Sequence, residues 1–305
     1  MTSALRAEDP PALGCYELLG RPGEGGMGAV FLGRDPAGTL VAVKVIRAEH
    51  ARDESFRACF RSELNRVREV PACCTAEILD AAPEHRTPYR VVEYAAGPRL
   101  ADVIGEQGPL RDGSLHSIAV GMASALAAIH SAGIVHRDLK PADVLPALGS
   151  PKVIDFGIAK AIDATSHHTL TQKMVGAHSY MSPERFSVND PTPAADIFAW
   201  GAVVAYAATG RNPFAGDSPA ATAGRILTQP SNLTGLEPGL LRVVERALSK
   251  DPADRPTARE LLLNLTSVVV RDIRGTARPD RPGATAEAWC PARCPASPAA
   301  PRRAR

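Results

Sequence analysis

Apolar and polar residues alternate along the first third of the chain, then give way to a longer period. From Tyr16 to about Ile46 the alternation reads as strands separated by glycine turns. Within 40–46 a period of two places Ala42 and Lys44 on one face, opposite Val41, Val43 and Val45. Residues 53–70 read as a helix, with Phe56, Phe60, Glu63 and Val67 at i, i+4, i+7 and i+11. Further strand material covers 77–80 and 89–94. Beyond about Leu100 helices dominate. Ile118, Met122, Leu126 and Ile129 line one face of a helix that Gly133 ends. Asp196 opens an apolar helix over 197–208 and, as an ordinary residue, would cap it. Thr257 and Glu260 form a capping box for a last helix. A strand-rich first third before a helix-rich remainder predicts two lobes, about 16–95 and about 96–270, behind a polar, Pro-containing lead over 1–15.

Composition adds limits to this picture. A chain of 305 residues, 45% hydrophobic and 22% charged, can bury a sizeable core. Its formal charge of +2 hides an asymmetry: residues 271–305 hold eight Arg against Asp272, Asp280 and Glu287, which leaves about −3 on everything before them. Six prolines accompany those arginines, so 271–305 is expected to be a disordered Arg/Pro-rich tail. A slightly acidic body with a basic tail does not look like a dedicated nucleic-acid binder. The cysteines (Cys15, Cys59, Cys73, Cys74, Cys290 and Cys294) form no CxxC pair and have no His partner at zinc-finger distance, so reduced thiols in a cytoplasmic protein are expected. The N-terminus has no apolar signal core, and the stretch 197–208 is too short to span a membrane.

The chemistry-bearing residues occur in an ordered series. GEGGMGAV at 23–30 fits GxGxxGxV, in which glycines Gly23, Gly25 and Gly28 let backbone N–H groups close over phosphates. GxGxxG also marks dinucleotide folds, but there a helix must follow, and here more strand follows. Lys44 in an apolar strand is either an edge lysine facing water or the partner of a buried anion. Glu63, on the apolar stripe of the next helix, is costly there without a cation, and Lys44 is the natural one. HRDLKPADVL at 136–145 and KVIDFG at 152–157 follow.

Taken together, these motifs resemble those of the protein kinase family, in the bacterial, actinomycete-type branch of eukaryotic-like Ser/Thr kinases, over roughly 16–270. The resemblance implies a bilobal α+β kinase fold, a small β-rich lobe with one key helix and a larger helical lobe. It implies ATP and Mg²⁺ as cofactors, with Mn²⁺ as the alternative ion, and protein substrates phosphorylated on Ser or Thr. By this resemblance Asp138 accepts the substrate hydroxyl's proton, Lys140 neutralises the transferring phosphoryl group, and Lys44, oriented by Glu63, meets phosphate oxygens. Asp155 and Asp143 are the metal-ligand positions. Val30, Ala42 and Leu145 sandwich adenine, the backbone of 93–95 (Glu93 to Ala95) hydrogen-bonds its edge, and Val92 is a small gatekeeper. SPE at 182–184 stands for the family's APE motif, with Glu184 paired to a buried Arg255, while Asp196 braces the catalytic loop.

The chain also departs from the family pattern. Position 143 is Asp where the family has Asn, position 177 is Ala where a threonine touches the catalytic aspartate, and His178 replaces a Pro. Pro22 and Pro146 are unusual at strand-like positions. These departures keep an alternative in view: an ATP-binding pseudokinase acting as scaffold or allosteric regulator. A small-molecule phosphotransferase is the third reading. Thr169 and Thr171 are the candidate activation-loop phosphosites, with Arg137 as the receiving cation. A transient homodimer for trans-autophosphorylation is an expected partner.

Overall fold

The computed structural model describes residues 3–25, 28–46, 53–72, 75–146, 151–156, 178–187 and 191–275. The expected phosphosites Thr169 and Thr171, together with Gly157 and Ala177, lie outside the described residues, as does 276–305 of the tail.

The first lobe is an antiparallel sheet. Its strands are β1 (Ala12–Leu13), β2 (Tyr16–Gly25), β3 (Gly28–Arg34), β4 (Leu40–Val45), β5 (Ile78–Ala82) and β6 (Tyr89–Glu93), in the order β1-β2-β3-β4-β6-β5. Alternation sends Leu18, Phe31, Val41, Val43, Tyr89 and Val91 into a buried cluster on one face. The other face, with Ala42, Lys44, Arg90 and Val92, lines a cavity. The β2–β3 register slips between Gly20 and Gly23, which places Pro22 in the irregularity expected of it. Close approach fixes Gly28, because a Cβ there would sit 1.8 Å from the Val45 carbonyl oxygen.

The lead is folded onto this sheet. β1 pairs with β2, Ser3 bridges Arg21, and Asp9 makes a 2.8 Å ion pair with Arg21 in which both side chains are buried. Leu13 joins the buried cluster. The apolar residues among the polar ones, rather than the overall polarity, decide where this segment goes.

Helix α1 (Glu54–Val67) lies against the sheet and starts at Asp53, whose side chain accepts from the Ser55 and Phe56 N–H groups. Phe56, Phe60, Leu64 and Val67 are buried and contribute about 1.5–3 kcal/mol each. That is enough to carry one carboxylate, Glu63, under with them.

The second lobe is helical: α2 (Leu100–Gln107), α3 (Asp112–Ser131), α4 (Pro193–Thr209), α5 (Pro219–Thr228), α6 (Pro238–Ala247) and α7 (Ala258–Gly275), with a two-stranded ribbon of β7 (Val144–Leu145) and β8 (Lys152–Val153). α3 is long and apolar enough to cross a membrane by composition, but Leu115, Ile118, Met122, Leu126 and Ile129 are buried in the protein. Trp200 and Phe198 of α4 are fully buried in the same core, and Trp200 donates to the Ala119 carbonyl at 3.0 Å. The α4 helix begins at Pro193, so Asp196 lies inside its first turn and does not cap it. The capping box forms as predicted: the Thr257 N–H donates to Glu260 at 2.8 Å and the Glu260 N–H donates to the Thr257 hydroxyl at 3.2 Å. That last helix continues to Gly275, past the expected start of the tail at 271.

Candidate functional site

A cavity of about 540 Å³ opens between the lobes. Val30 of β3, Ala42 of β4 and Leu145 of β7 give it an apolar roof and floor, and Glu93, Tyr94 and Ala95 form its connecting edge. Val92 and Pro22 also line it. An apolar slot with exposed backbone along one edge suits a flat heteroaromatic ring. Lys152 of β8 bonds both carboxylate oxygens of Glu93, at 2.7 and 2.5 Å, and so fastens the connecting strand to the second lobe.

Charged groups gather at the inner end. Lys44 donates to Asp155 Oδ1 at 3.2 Å, and Arg90 Nη2 lies 3.8 Å from that same oxygen. Burial would raise the Asp155 carboxyl, but Lys44 and Arg90 hold it well below the usual carboxylate range. Asp155 and Arg137 both take positive φ, 64° and 76°, a conformation that costs a non-glycine residue and is held here by surrounding contacts.

The expected Lys44–Glu63 pair is not formed. Lys44 reaches Asp155 instead, and Glu63 Oε1 lies 3.9 Å from Arg137 Nη1. Glu63 is 2% exposed, and its Oε2 has no hydrogen-bond partner among the described residues. Burial pushes its carboxyl up, against the pull of Arg137, Arg90 and Arg66. The helix stripe correctly buries Glu63, but the chain brings a different cation to it.

The segment after β6 and α3 carries the second group of predicted residues. Lys140 Nζ donates to Asp138 Oδ2 at 2.7 Å and stands 3.7 Å from Asp143 Oδ2. Burial lowers the Lys140 ammonium pKa, but Asp143 and Asp138 outweigh it and raise the value. Asp196, 2% exposed, braces this loop: its carboxylate accepts from the backbone N–H groups of His136 at 2.7 Å and Arg137 at 2.9 Å, and meets His130 Nε2 at 2.8 Å. Arg185 adds a bond that sequence reasoning missed, donating to the Arg137 carbonyl at 3.0 Å. Glu184 and Arg255 form the expected pair, bidentate at 2.7 and 2.8 Å.

Asp143 and Asp155 sit on hydrogen-bonded neighbours, since the Ile154 N–H donates to the Asp143 carbonyl at 2.8 Å. No group of three or more His, Cys, Asp or Glu side chains that could hold a metal occurs among the described residues. Two carboxylates alone, all hard oxygen, suit Mg²⁺ completed by phosphate oxygens and water, and do not suit Zn²⁺. The donor set therefore fits a magnesium nucleotide.

Arg90 is the other residue missed. Its signal was present in the sequence: alternation in 89–94 places it on the face of Val92, and the observed register sets it directly opposite Lys44.

Comparison with known proteins follows the same lines. Residues 16–264 match the family described as "Protein kinase domain". A probable serine/threonine-protein kinase of Thermomonospora curvata, PkwA, is 41% identical over 267 residues, which is 88% of this chain and 36% of PkwA. The chain thus spans little more than a third of that relative's length. The PknI kinase domain of Mycobacterium tuberculosis superposes with a TM-score of 0.65 at 25% identity, covering 87% of this chain and 99% of that domain. Rad53 residues 1–466, solved with AMP-PNP, shares the fold with a TM-score of 0.69 at 21% identity, covering 81% of this chain and 64% of that one.

Proposed function

The chain belongs to the protein kinase domain family, in the bacterial eukaryotic-like Ser/Thr branch, and from that premise we propose that it transfers the γ-phosphoryl group of ATP to Ser or Thr hydroxyls of proteins. The observation that carries this reading is the meeting of Lys44 and Asp155 at the end of a cleft shaped for a flat ring. The Asp138–Lys140 pair is held on the adjoining braced loop.

Each residue has a role in that reaction. Val30, Ala42 and Leu145 hold the adenine, and Glu93 and Ala95 present backbone groups to its edge. Glycines Gly23, Gly25 and Gly28 bring backbone N–H groups over the phosphates. Lys44 orients phosphate oxygens, Asp138 accepts the proton from the attacking hydroxyl, and Lys140 offsets the charge that develops on the transferring group. Asp143 and Asp155 would hold Mg²⁺, or Mn²⁺ in its place, which supplies charge neutralisation between the phosphates. Asp143 keeps the oxygen donor of the family's asparagine and adds a charge.

Regulation follows from Arg137. Its Nε and Nη1 atoms are buried and lack a hydrogen-bond partner in the described part of the chain, which leaves a guanidinium able to receive a phosphate on Thr169 or Thr171. Autophosphorylation in trans would then need a transient homodimer. A reaction that uses ATP and a chain read as carrying reduced thiols both fit a cytoplasmic location.

The test is the purified 305-residue chain with radiolabelled ATP, a Ser/Thr-containing protein acceptor and Mg²⁺ or Mn²⁺, beside Asp138→Asn. Label appears on Ser or Thr in the parent and is lost in the variant, and phosphopeptide mapping places part of it at Thr169 or Thr171. Nucleotide binding without transfer under either metal would sink the enzyme reading in favour of a pseudokinase.

A further inference from the structure

Lys44 and Arg90 are cross-strand neighbours on β4 and β6, and antiparallel pairing puts both side chains on the cleft face. An arginine in a five-residue strand otherwise made of Tyr89, Val91, Val92 and Glu93 is costly to bury, yet Arg90 is only 6% exposed. It lines the nucleotide cavity. What it faces is anionic. Asp155 Oδ1, the oxygen that Lys44 binds at 3.2 Å, lies 3.8 Å from Arg90 Nη2, and the buried Glu63 carboxylate also lies in its field. The motif residues already supply one cation for Asp155, and here the fold supplies two.

We propose that Arg90 is a positioning residue for phosphoryl transfer: a second fixed cation on Asp155, set behind Lys44, that holds this carboxylate at the rear of the cleft and sets the divalent-ion demand of nucleotide binding. The proposal rests on the reading of the cleft as a magnesium-nucleotide site. A guanidinium stays charged at any working pH and cannot be relieved by proton loss. It therefore competes with a divalent ion for the field of Asp155.

The experiment measures binding of a fluorescent, non-hydrolysable ATP analogue to the full chain while Mg²⁺ is titrated. Arg90→Met, similar in length and free of charge, lowers the half-saturating Mg²⁺ concentration about 3–10-fold, the effect of removing one charge about 4 Å from the carboxylate in a partly wet site. Arg90→Lys stays within about twofold of the parent, because it restores the charge. In an Asp155→Asn background Arg90→Met moves the half-saturation less than about twofold, since the carboxylate through which it acts is gone. In steady-state assays Arg90→Met lowers kcat about tenfold with KM for ATP within about twofold, as expected when the carboxylate is less firmly placed.

An unmoved half-saturation in Arg90→Met, or an equal shift in the Asp155→Asn background, overturns the proposal, because a packing role would behave that way. Should Arg90→Met not fold, Arg90→Gln carries the same readout and the same two outcomes. A parent chain that binds no nucleotide at any Mg²⁺ concentration overturns the reading of the site itself, which a parent that binds normally leaves standing.

Discussion

The Arg137 guanidinium lies 3.9 Å from Glu63 Oε1, while its own backbone N–H donates to Asp196 at 2.9 Å. One residue thus links the helix of the first lobe to the braced loop of the second. The contact is loose, and Glu63 Oε2 has no hydrogen-bond partner among the described residues, so the pair stabilises the charged form of Glu63 less than burial opposes it.

A sign follows for stability against pH. Because burial raises the folded-state value of Glu63 above its unfolded one, its contribution is fully present below the unfolded value near 4.5 and is lost as pH rises through the folded value. Glu63→Gln removes that loss. Thermal melts should show the variant gaining on the parent as pH rises from 4.5 to 7.5, by about 2–4 °C at the upper end. A gap that is constant with pH contradicts the assignment.

Arg255 sits fully buried against Glu184 in a two-bond pair and also donates to the Ala194, Ser249 and Lys250 carbonyls. Removing one member of a buried pair typically costs about 3–5 kcal/mol. Arg255→Ala is therefore expected to lower Tm by about 6–15 °C, and Arg255→Lys, which keeps charge but not the fork, to fall between. Circular dichroism melts decide this. Arg255→Lys matching the parent would show that the fork adds nothing.

Asp143 is 5% exposed and adds a charge beside Lys140 and Asp138. Asp143→Asn removes that charge from the metal-ligand pair, so the half-saturating Mg²⁺ concentration should rise about 3–10-fold. Nucleotide binding against Mg²⁺ reads this directly, and the shift is opposite in sign to that of Arg90→Met. A fall in the requirement would remove Asp143 from the ligand set.

The Lys152–Glu93 pair joins the connecting edge of the cleft to β8. Both side chains are partly exposed, so the pair is worth about 0–1 kcal/mol in stability. Lys152→Met is expected to leave Tm within about 3 °C while raising KM for ATP about 2–4-fold through a looser edge. Steady-state kinetics with varied ATP measures it, and an unchanged KM would confine the pair to a surface role.

Much of this architecture was legible because periodicity reports which face of an element is buried. It found the cleft-facing Ala42 and Lys44, the stripe of Phe56, Phe60, Glu63 and Val67, the helix of Ile118 to Ile129, and the cap at Thr257. It could not find the partner of Glu63. A stripe fixes rotation about a helix axis and leaves free the few ångströms of position that choose between Lys44 and Arg137. Arg90 was overlooked for a different reason. It belongs to none of the motifs, and its meaning depends on a strand register that pairs it with Lys44 across forty-odd residues of chain. The start of α4 was misplaced because Pro193, Ala194 and Ala195 carry no strong apolar signal, although proline at a first turn is a helix start.

The docking of residues 3–13 bears on where this domain can be cut. Both the motif pattern and the family match begin at Tyr16, so that residue is the obvious place to begin a shortened chain. Such a chain would lose β1, leaving the β2 edge bare for strand-to-strand association. It would also strip Asp9 from Arg21, whose guanidinium stacks over Phe31 at 5.4 Å, and so remove a 2.8 Å ion pair from a buried cation two residues before Gly23. Damage done at the first turn of the chain would be felt at the phosphate loop.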